Sequence, residues 1–158
     1  MNRWRLPTIQ ELLSIVDYTK YNPATNLDGI KSDFYWSSSP YVSGLSDAWG
    51  VYFYGGDDGY YLKSSSIYVR CVRTLDDGSL EWAKEDAPKK MTWQEAMNYA
   101  ESLNNIERRN IQHTVIEDLE MLERENKAMA EFLSSLGYTD EEVSNIANGS
   151  YLLNNIDK

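Results

Sequence analysis

The sequence is poor in the residue types on which disulfides and many metal sites depend. Its 158 residues include one cysteine, Cys71, and one histidine, His113. A single cysteine excludes an internal disulfide and a zinc site built on paired cysteines. We expect Cys71 to be a buried structural thiol in a strand and His113 to be a solvated helix residue. No metal and no other cofactor is expected.

Long apolar runs are also lacking. No stretch approaches the ~20 consecutive apolar residues of a membrane-spanning helix, so membrane insertion is not expected. The N-terminus carries Arg3 and Arg5 without an apolar run behind them, which is not the pattern of a secretory signal. A complete gene product with this start would be cytoplasmic, whereas a piece cut from a longer secreted protein would look the same.

Positive charge is scarce in one part of the chain only. The net charge is −10. Residues 1–73 hold seven basic and seven acidic residues, and residues 74–158 hold eight basic and eighteen acidic ones. Fourteen of the 20 aromatic residues lie before residue 74. Direct nucleic-acid binding is disfavoured, because phosphate contacts need clustered Lys and Arg. A basic protein partner suits the acidic part.

Three capping boxes predict three helix starts. They are Thr8 with Glu11, Thr92 with Glu95, and Thr139 with Glu142. We expect the first helix to end near Tyr18 and the second to cover residues 92–104. The third, short and acidic, should end at about Asn148. A further long helical segment is predicted over residues 107–136, with Gly137 where a C′ glycine would end it.

Between residues 33 and 73 the pattern changes to short β-branched and aromatic runs separated by Gly, Ser and Asp. This pattern predicts an antiparallel meander. The runs are Phe34–Ser39, Ala48–Tyr54, Tyr60–Lys63 and Ile67–Arg73, with a turn over Gly55–Gly59. In the last run the side chains should alternate between two faces, one of which includes Cys71. Ser79–Ala83 is a candidate for one more strand.

These residues carry a resemblance to a known family. The motifs lie in one order within residues 3–73: Trp4-Arg5-Leu6-Pro7-Thr8 with Glu11-Leu12, Tyr35-Trp36-Ser37-Ser38, Ala48-Trp49 with Phe53, and Tyr68-Val69-Arg70-Cys71-Val72-Arg73. This part of the chain is similar to the Lcl C-terminal domain family of bacterial and phage proteins. The resemblance implies a fold related to the C-type lectins and to the formylglycine-generating enzymes. It also implies an adhesive or recognition role without specifying a ligand.

The order of the pieces departs from the family. A strand, a loop and a helix normally precede the Trp-Arg-Leu-Pro motif, whereas here the matching pieces, 77–82 and 91–103, follow it. The chain therefore resembles a circularly permuted domain, or the back of one repeat joined to the front of the next. We expect these pieces to fold back within one chain, because the connection 74–78 is short. Packing on a neighbouring molecule is the alternative.

The resulting prediction is an α+β protein with a permuted domain over residues 1–105 and a helical extension over residues 106–158. The first part should be a C-type-lectin-like antiparallel sheet with two packed helices, and the second an acidic α-helical extension. Relatives of formylglycine-generating type depend on active-site cysteines, which the isolated Cys71 does not reproduce. No catalytic residue is expected.

The favoured function is non-enzymatic recognition of a protein or glycan ligand through an aromatic surface. Tyrosine gives contact area at low entropy cost, and Ser and Gly adapt to a ligand. The candidate ligand-binding residues surround the predicted Gly55–Gly59 turn: Tyr52, Tyr54, Asp57, Asp58, Tyr60 and Tyr61. The alternative for these rings is that they fill a small β core. Asp57 and Asp58 are also candidate calcium ligands, although the hairpin-tip interpretation is preferred.

Two further functions rest on the acidic part. In one, the protein is a small phage or mobile-element inhibitor that blocks a basic, nucleic-acid-binding host protein. Its candidate contacts are the acidic residues Glu120, Glu123, Asp140 and Glu141. The alternative is that this charge only keeps the helices solvated.

The other function is oligomerisation through residues 107–136. That segment contains a heptad-like seam with alternating spacings of three and four: Leu119, Leu122, Asn126, Met129, Leu133 and Leu136. The flanking charges Asp118, Glu123 and Glu125 would repel one another in a symmetric homodimer. The seam could instead pack on the aromatic part of the chain.

Overall fold

The computed structural model describes residues 2–147 and has an α+β architecture, as predicted. Two compact units divide the chain, Met1–Glu107 and Arg108–Lys158. In chain order the elements are α1 (Ile9–Ser14), β1 (Phe34–Pro40), β2 (Asp47–Tyr52), β3 (Asp57–Leu62), β4 (Val72–Thr74), β5 (Leu80–Trp82), α2 (Trp93–Ser135) and α3 (Asp140–Ala147).

Helix α1 begins at the predicted capping box. The Thr8 hydroxyl accepts from the Glu11 amide, and the Glu11 carboxylate accepts from the Thr8 amide. The predicted end near Tyr18 is wrong, because the helix stops at Ser14. The helix ends there because the next residues bond to a later segment of the chain. The Thr25 hydroxyl donates to the carbonyl of Ile15 at 2.5 Å.

The main sheet has the order β1-β2-β3, all antiparallel, which confirms the first three runs of the predicted meander. The fourth run, Ile67–Arg73, adds no strand to this sheet and meets it through a parallel bridge between Tyr35 and Tyr68. The turn begins two residues earlier than the predicted Gly55–Gly59 and ends three residues earlier. Residues 53–56 form it, and Asp57 already pairs with Tyr52 while Asp58 pairs with Val51. Gly56 sets this position, because its φ of +88° is a backbone conformation that glycine adopts without a Cβ penalty.

The run 67–73 is a regular strand only at its end. Val72–Thr74 pairs with Leu80–Trp82, which confirms a strand within Ser79–Ala83. Earlier in the run, Ile67 and Tyr68 form isolated bridges. The side chains alternate as predicted, since Val69 and Cys71 lie in one core cluster and Tyr68 packs against the other. Residues 69 to 72 are nevertheless all buried. Both sides of this segment are covered by other parts of the chain.

Residues that follow the family motifs complete the core of the first unit. Ala87, Met91, Ala96 and Ala100 are buried in one cluster with core residues of the motifs: Leu6, Trp36, Ala48, Ile67, Val69 and Cys71. A second cluster joins α1 to the other face of the sheet through Ile9, Leu12, Ile30, Tyr35, Val51 and Phe53. The segment 83–104 thus folds back within the same chain, as expected.

Helix α2 is continuous where the sequence predicted two segments. It begins at the Thr92 capping box, with the Thr92 amide donating to Glu95 at 2.8 Å. The sequence 104–107 does not interrupt it. Asn104 is buried, and its side chain bonds both the amide and the carbonyl of Trp4, at 2.8 and 2.9 Å. Asn104, at the predicted end of the second helix, is therefore a tertiary contact inside a longer helix.

The end of α2 and the start of α3 follow local rules. Gly137 has a φ of +92°, its amide donates to Ser134, and the Tyr138 amide donates to Leu133. These two bonds form a Schellman motif, which confirms Gly137 as the C′ residue. The Thr139 amide then bonds Glu142 at 2.9 Å in the third capping box. The predicted end of α3 near Asn148 lies outside the described residues.

Beyond Asn104, α2 buries no side chain within the described part of the chain. Five members of the heptad-like seam are exposed, and Leu133 is half-buried. The alternative in which the seam packs on the aromatic part stays a prediction. Within residues 2–147 no helix has the length and apolarity to cross a bilayer.

Candidate binding surfaces

The predicted ligand-binding tyrosines are divided between two aromatic clusters. The first, here called the tyrosine row, contains Tyr21, Phe34, Tyr52, Tyr54 and Tyr61. The second, the Tyr60 cluster, contains Tyr41, Trp49 and Tyr60. Tyr60 and Tyr61 are neighbours in β3, so their side chains lie on opposite faces of the sheet.

The tyrosine row is built by cross-strand pairing. Phe34 of β1 pairs with Tyr52 of β2, and their rings stack with centroids 4.3 Å apart. The Phe34 ring also lies 4.4 Å from that of Tyr61. Gly59 makes room for the Tyr61 side chain, because a Cβ there would lie 2.9 Å from the Tyr61 hydroxyl. The pairing of the strands therefore fixes the positions of these rings in the absence of a ligand.

The outer end of the row is exposed. Tyr54 stacks on Tyr52 at 5.7 Å, and Tyr21 meets Tyr54 edge-on at 4.3 Å. The exposed fractions are 64% for Tyr21 and 36% for Tyr54. A hydrogen bond with Tyr54, and then burial, raises the pKa of the Tyr21 hydroxyl. Parts of the aromatic rings and the hydroxyl groups of Tyr21 and Tyr54 are therefore accessible to solvent.

The Tyr60 cluster lies on the other face. Trp49 and Tyr60 are a cross-strand pair, and Tyr41 stacks on Tyr60 at 4.1 Å with the rings 5° from parallel. Tyr60 itself is 52% exposed. Exposed apolar side chains lie nearby in the chain, on the β1–β2 loop and at the end of β3: Val42, Leu45 and Leu62. Leu62 lies two residues after Tyr60 in β3 and so shares its face of the sheet.

Asp57 and Asp58 do not form a calcium site together. They are successive residues of β3, both exposed, with side chains on opposite faces of the strand. Within residues 2–147 no group of three or more His, Cys, Asp or Glu side chains is placed to hold a metal ion. Burial first, and then the two carboxylates, raises the pKa of Tyr61 to about 12. Asp57 shares the face of the tyrosine row.

The single cysteine and the single histidine differ in exposure. Cys71 is buried in the core, as predicted, and burial raises the pKa of its thiol to about 12. His113 is exposed on α2, where Nδ1 lies 3.3 Å from the Glu117 carboxylate. The predicted burial of Cys71 and exposure of His113 are confirmed, although Cys71 lies just before strand β4 and not within it.

The candidate acidic contacts are exposed on two helices. Glu120 and Glu123 lie on α2, and Asp140 and Glu141 lie in the first turn of α3. Glu120 and Glu123 line a shallow depression of about 360 Å³ together with Arg124 and Lys127. The predicted acidic patch on α2 is therefore locally mixed in charge.

Sequence reasoning missed a buried ion pair. Arg70 and Asp86 are 1% and 9% exposed, and Arg70 Nε donates to Asp86 at 2.7 Å. The other Asp86 oxygen accepts from the Tyr35 hydroxyl at 2.7 Å. Burial is the main cause that raises the pKa of Tyr35 well above its usual value. The only sequence signal was a charged residue between Val69 and Cys71.

The Arg70 guanidinium ties the family motifs to the segment after them. Its Nη1 also donates to the carbonyls of Asp28, Ala83 and Lys84, at 3.2, 2.9 and 3.0 Å. One side chain thus joins the loop before β1, the Tyr68–Arg73 motif and the loop after β5.

Comparison with protein families agrees with the motifs. The model of the Lcl C-terminal domain matches residues 1–73. Searches of curated proteins and of solved structures find no match. The lectin-like relationship and the permuted order stay predictions. The family resemblance itself is confirmed, because residues 1–73 of this chain match the model of the Lcl C-terminal domain.

Proposed function

We propose that the protein is a non-enzymatic binding module that recognises a protein or glycan ligand through its aromatic clusters. The observation that carries the proposal is the stacking of exposed tyrosine rings on paired strands. Rings held in place before binding lose little conformational freedom when a ligand arrives, which favours affinity. Tyrosine also combines an apolar face with a hydroxyl that both donates and accepts hydrogen bonds.

The two clusters suit different ligands. The tyrosine row combines hydroxyl groups with the carboxylate of Asp57 on one face, so it offers both donors and acceptors to a sugar. The Tyr60 cluster has exposed apolar neighbours, including Leu62 at 57% exposure. Such a surface suits the apolar core of a protein–protein interface.

Two alanine variants separate these surfaces. Tyr54→Ala removes a ring of the tyrosine row, and Tyr60→Ala removes one of the Tyr60 cluster. Tyr18→Ala is the matched control, because Tyr18 is 74% exposed and stacks on no ring within the described residues. Binding of the full chain to a glycan array and to proteins captured from source cells should fall about tenfold or more in one variant, as for an interface hot spot.

The outcomes are distinct. Loss of glycan binding in Tyr54→Ala supports the row, and loss of protein capture in Tyr60→Ala supports the Tyr60 cluster. If both variants bind every ligand as well as wild type and Tyr18→Ala, the aromatic-surface proposal is wrong.

The proposal includes no catalytic step. Cys71, the one thiol of the chain, is buried and protonated at neutral pH, so it is not an available nucleophile. Treatment of the full chain with a thiol reagent under native conditions should leave ligand binding unchanged.

A second candidate function rests on the exposed side of α2. Large apolar side chains are half exposed from Ile111 to Leu136, and a lone helix gains little stability in water without tertiary packing. The residues beside the seam, Asp118, Glu123 and Glu125, are all acidic. These charges favour a partner with a basic surface, of which a nucleic-acid-binding host protein is one case.

Two measurements test this second function. A complex held by the acidic helices should weaken as salt rises, because screening acts on exposed charges. Sedimentation of the free protein at high concentration distinguishes self-association, since a strict monomer excludes a homo-oligomeric coil. A captured partner whose affinity does not change with salt, and is the same for Glu120→Gln/Glu123→Gln, would contradict the electrostatic idea.

A further inference from the structure

A cationic pocket lies beside Arg70 and shares no residue with the two aromatic clusters. Its volume is about 580 Å³, which is in the range of pockets for small organic molecules. Three segments line it: the loop residues 29 and 31, the motif residues 68 and 70, and the loop 84–90. Only the first two belong to the family match, so the pocket depends on the segment that follows it.

The pocket lining is rich in basic side chains, although acidic residues outnumber basic ones in the protein as a whole. Ten basic residues occur in residues 1–107, and five of them line this pocket: Lys31, Arg70, Lys84, Lys89 and Lys90. Two acidic residues, Glu85 and Asp86, also line it. Asp86 is already bound by Arg70, so the lining keeps a clear excess of positive charge.

Most of these lysines are free of carboxylates. Lys90 pairs with Asp33 at 2.6 Å. For Lys31, Lys84 and Lys89, no carboxylate of the described residues lies within 4.0 Å. Three ammonium groups are therefore available to a ligand.

The tyrosine in the lining holds two of the lysines at the pocket. The Lys90 Nζ lies 4.7 Å from the centroid of the Tyr68 ring, and the Lys31 Nζ lies 5.8 Å from it. Both distances are within reach of a cation–π interaction. One aromatic face thus keeps two positive charges close together.

The buried guanidinium adds a donor with no partner. Arg70 Nη2 is buried and makes no hydrogen bond within residues 2–147, whereas Nε and Nη1 are both engaged. Gly29 stands beside it, and a Cβ at that residue would lie 3.1 Å from Nη2. A buried donor without a partner is rare in folded proteins and indicates a missing acceptor.

We propose that this pocket binds a small organic oxyanion that carries a phosphate or several carboxylate groups. One ligand oxygen accepts from Arg70 Nη2 beside Gly29, and Lys31, Lys84 and Lys89 neutralise the remaining charge. Charge-assisted hydrogen bonds from arginine to such oxygens are among the stronger polar contacts in proteins. This site is independent of the aromatic surfaces, so either proposal can fail without the other.

The test is an amide NMR titration of the full chain at constant ionic strength, with inorganic phosphate in one series and citrate in the other. Saturable shifts are expected at the amides of Gly29 and Tyr68. In Lys84→Gln/Lys89→Gln we expect the affinity to fall about tenfold, which corresponds to about 1.4 kcal/mol. Lys20→Gln, which removes an exposed ammonium outside the pocket, should bind as wild type does.

Each outcome decides the proposal. Saturation by phosphate alone identifies a phosphate ligand, and saturation by citrate alone identifies a polycarboxylate. Shifts that rise linearly with both anions, or equal affinity in Lys84→Gln/Lys89→Gln and wild type, overturn it. Both replaced lysines are exposed, so the variants should fold, and tryptophan fluorescence checks this.

Discussion

Replacement of Asp86 by asparagine removes one charge and no volume from the interior of the first unit. The Arg70 guanidinium then stays buried without its counter-ion, and the Tyr35 hydroxyl loses a charged acceptor. Breaking a buried pair by removing one partner costs roughly 3–5 kcal/mol, because the remaining charge is uncompensated. Asp86→Asn should therefore lower the free energy of unfolding by about that amount.

The assay is urea unfolding followed by tryptophan fluorescence. All five tryptophans lie in residues 1–107, so the signal reports the first unit alone. For a slope of about 1–3 kcal/mol per M, the midpoint should fall by about 1 M urea or more. Glu85→Gln is the matched control, since Glu85 is the neighbouring exposed carboxylate and pairs with no cation within residues 2–147.

A loss below about 1 kcal/mol in Asp86→Asn would refute the reasoning, because it is the size expected of an exposed pair. It would mean that Arg70 does not depend on Asp86 for its charge balance. An equal loss in Glu85→Gln would point to the net charge of the loop instead of the buried pair.

Three further predictions concern local features of the first unit. Gly56→Ala should destabilise it by about 2–4 kcal/mol in urea unfolding, because φ is +88° and the new Cβ would lie 2.5 Å from Val16 Cγ1. Gly78→Ala, with φ +83° and no atom within 4 Å, should cost only about 1 kcal/mol, and equal losses would contradict the steric argument. The hydrogen bond from Arg5 holds the pKa of Glu11 below 4.5. Stability should therefore be lost as pH falls through the folded-state pKa of Glu11, by no more than about 1 kcal/mol. A Glu11→Gln variant with the same acid dependence as wild type would contradict this. Cys71 should resist a thiol reagent at pH 8 and react at once in denaturant, since burial raises its pKa to about 12; fast native labelling would show that the site opens.

Features settled by neighbours in the sequence were predictable. The three capping boxes each join residues three apart, and the Schellman bonds at Gly137 close within five residues. Such hydrogen bonds depend little on the rest of the fold. The alternating aromatic runs likewise predicted the meander, because the period of a strand is a local property.

Features settled by distant contacts were not predictable from the chain alone. Asn104 bonds Trp4 across 100 positions, and Arg70 bonds Asp86 across 16. The sequence alone does not identify either partner, because both contacts form only when the segment 83–104 packs against the earlier part of the chain. The same contacts explain why a polar residue, Asn104, and a charged residue, Arg70, are buried.

The sequence by itself determined which residues are aromatic, where the helices begin and that the strands pair in a meander. The tertiary structure alone decided that Tyr54 and Tyr60 serve different surfaces, because the position of the turn fixes which side chains share a face. It also decided that five basic residues from three separate segments meet at one pocket. Residue spacing predicts structure within one helix or strand. Which side chains share a face or a cavity depends on how the elements pack together, and spacing does not encode that packing.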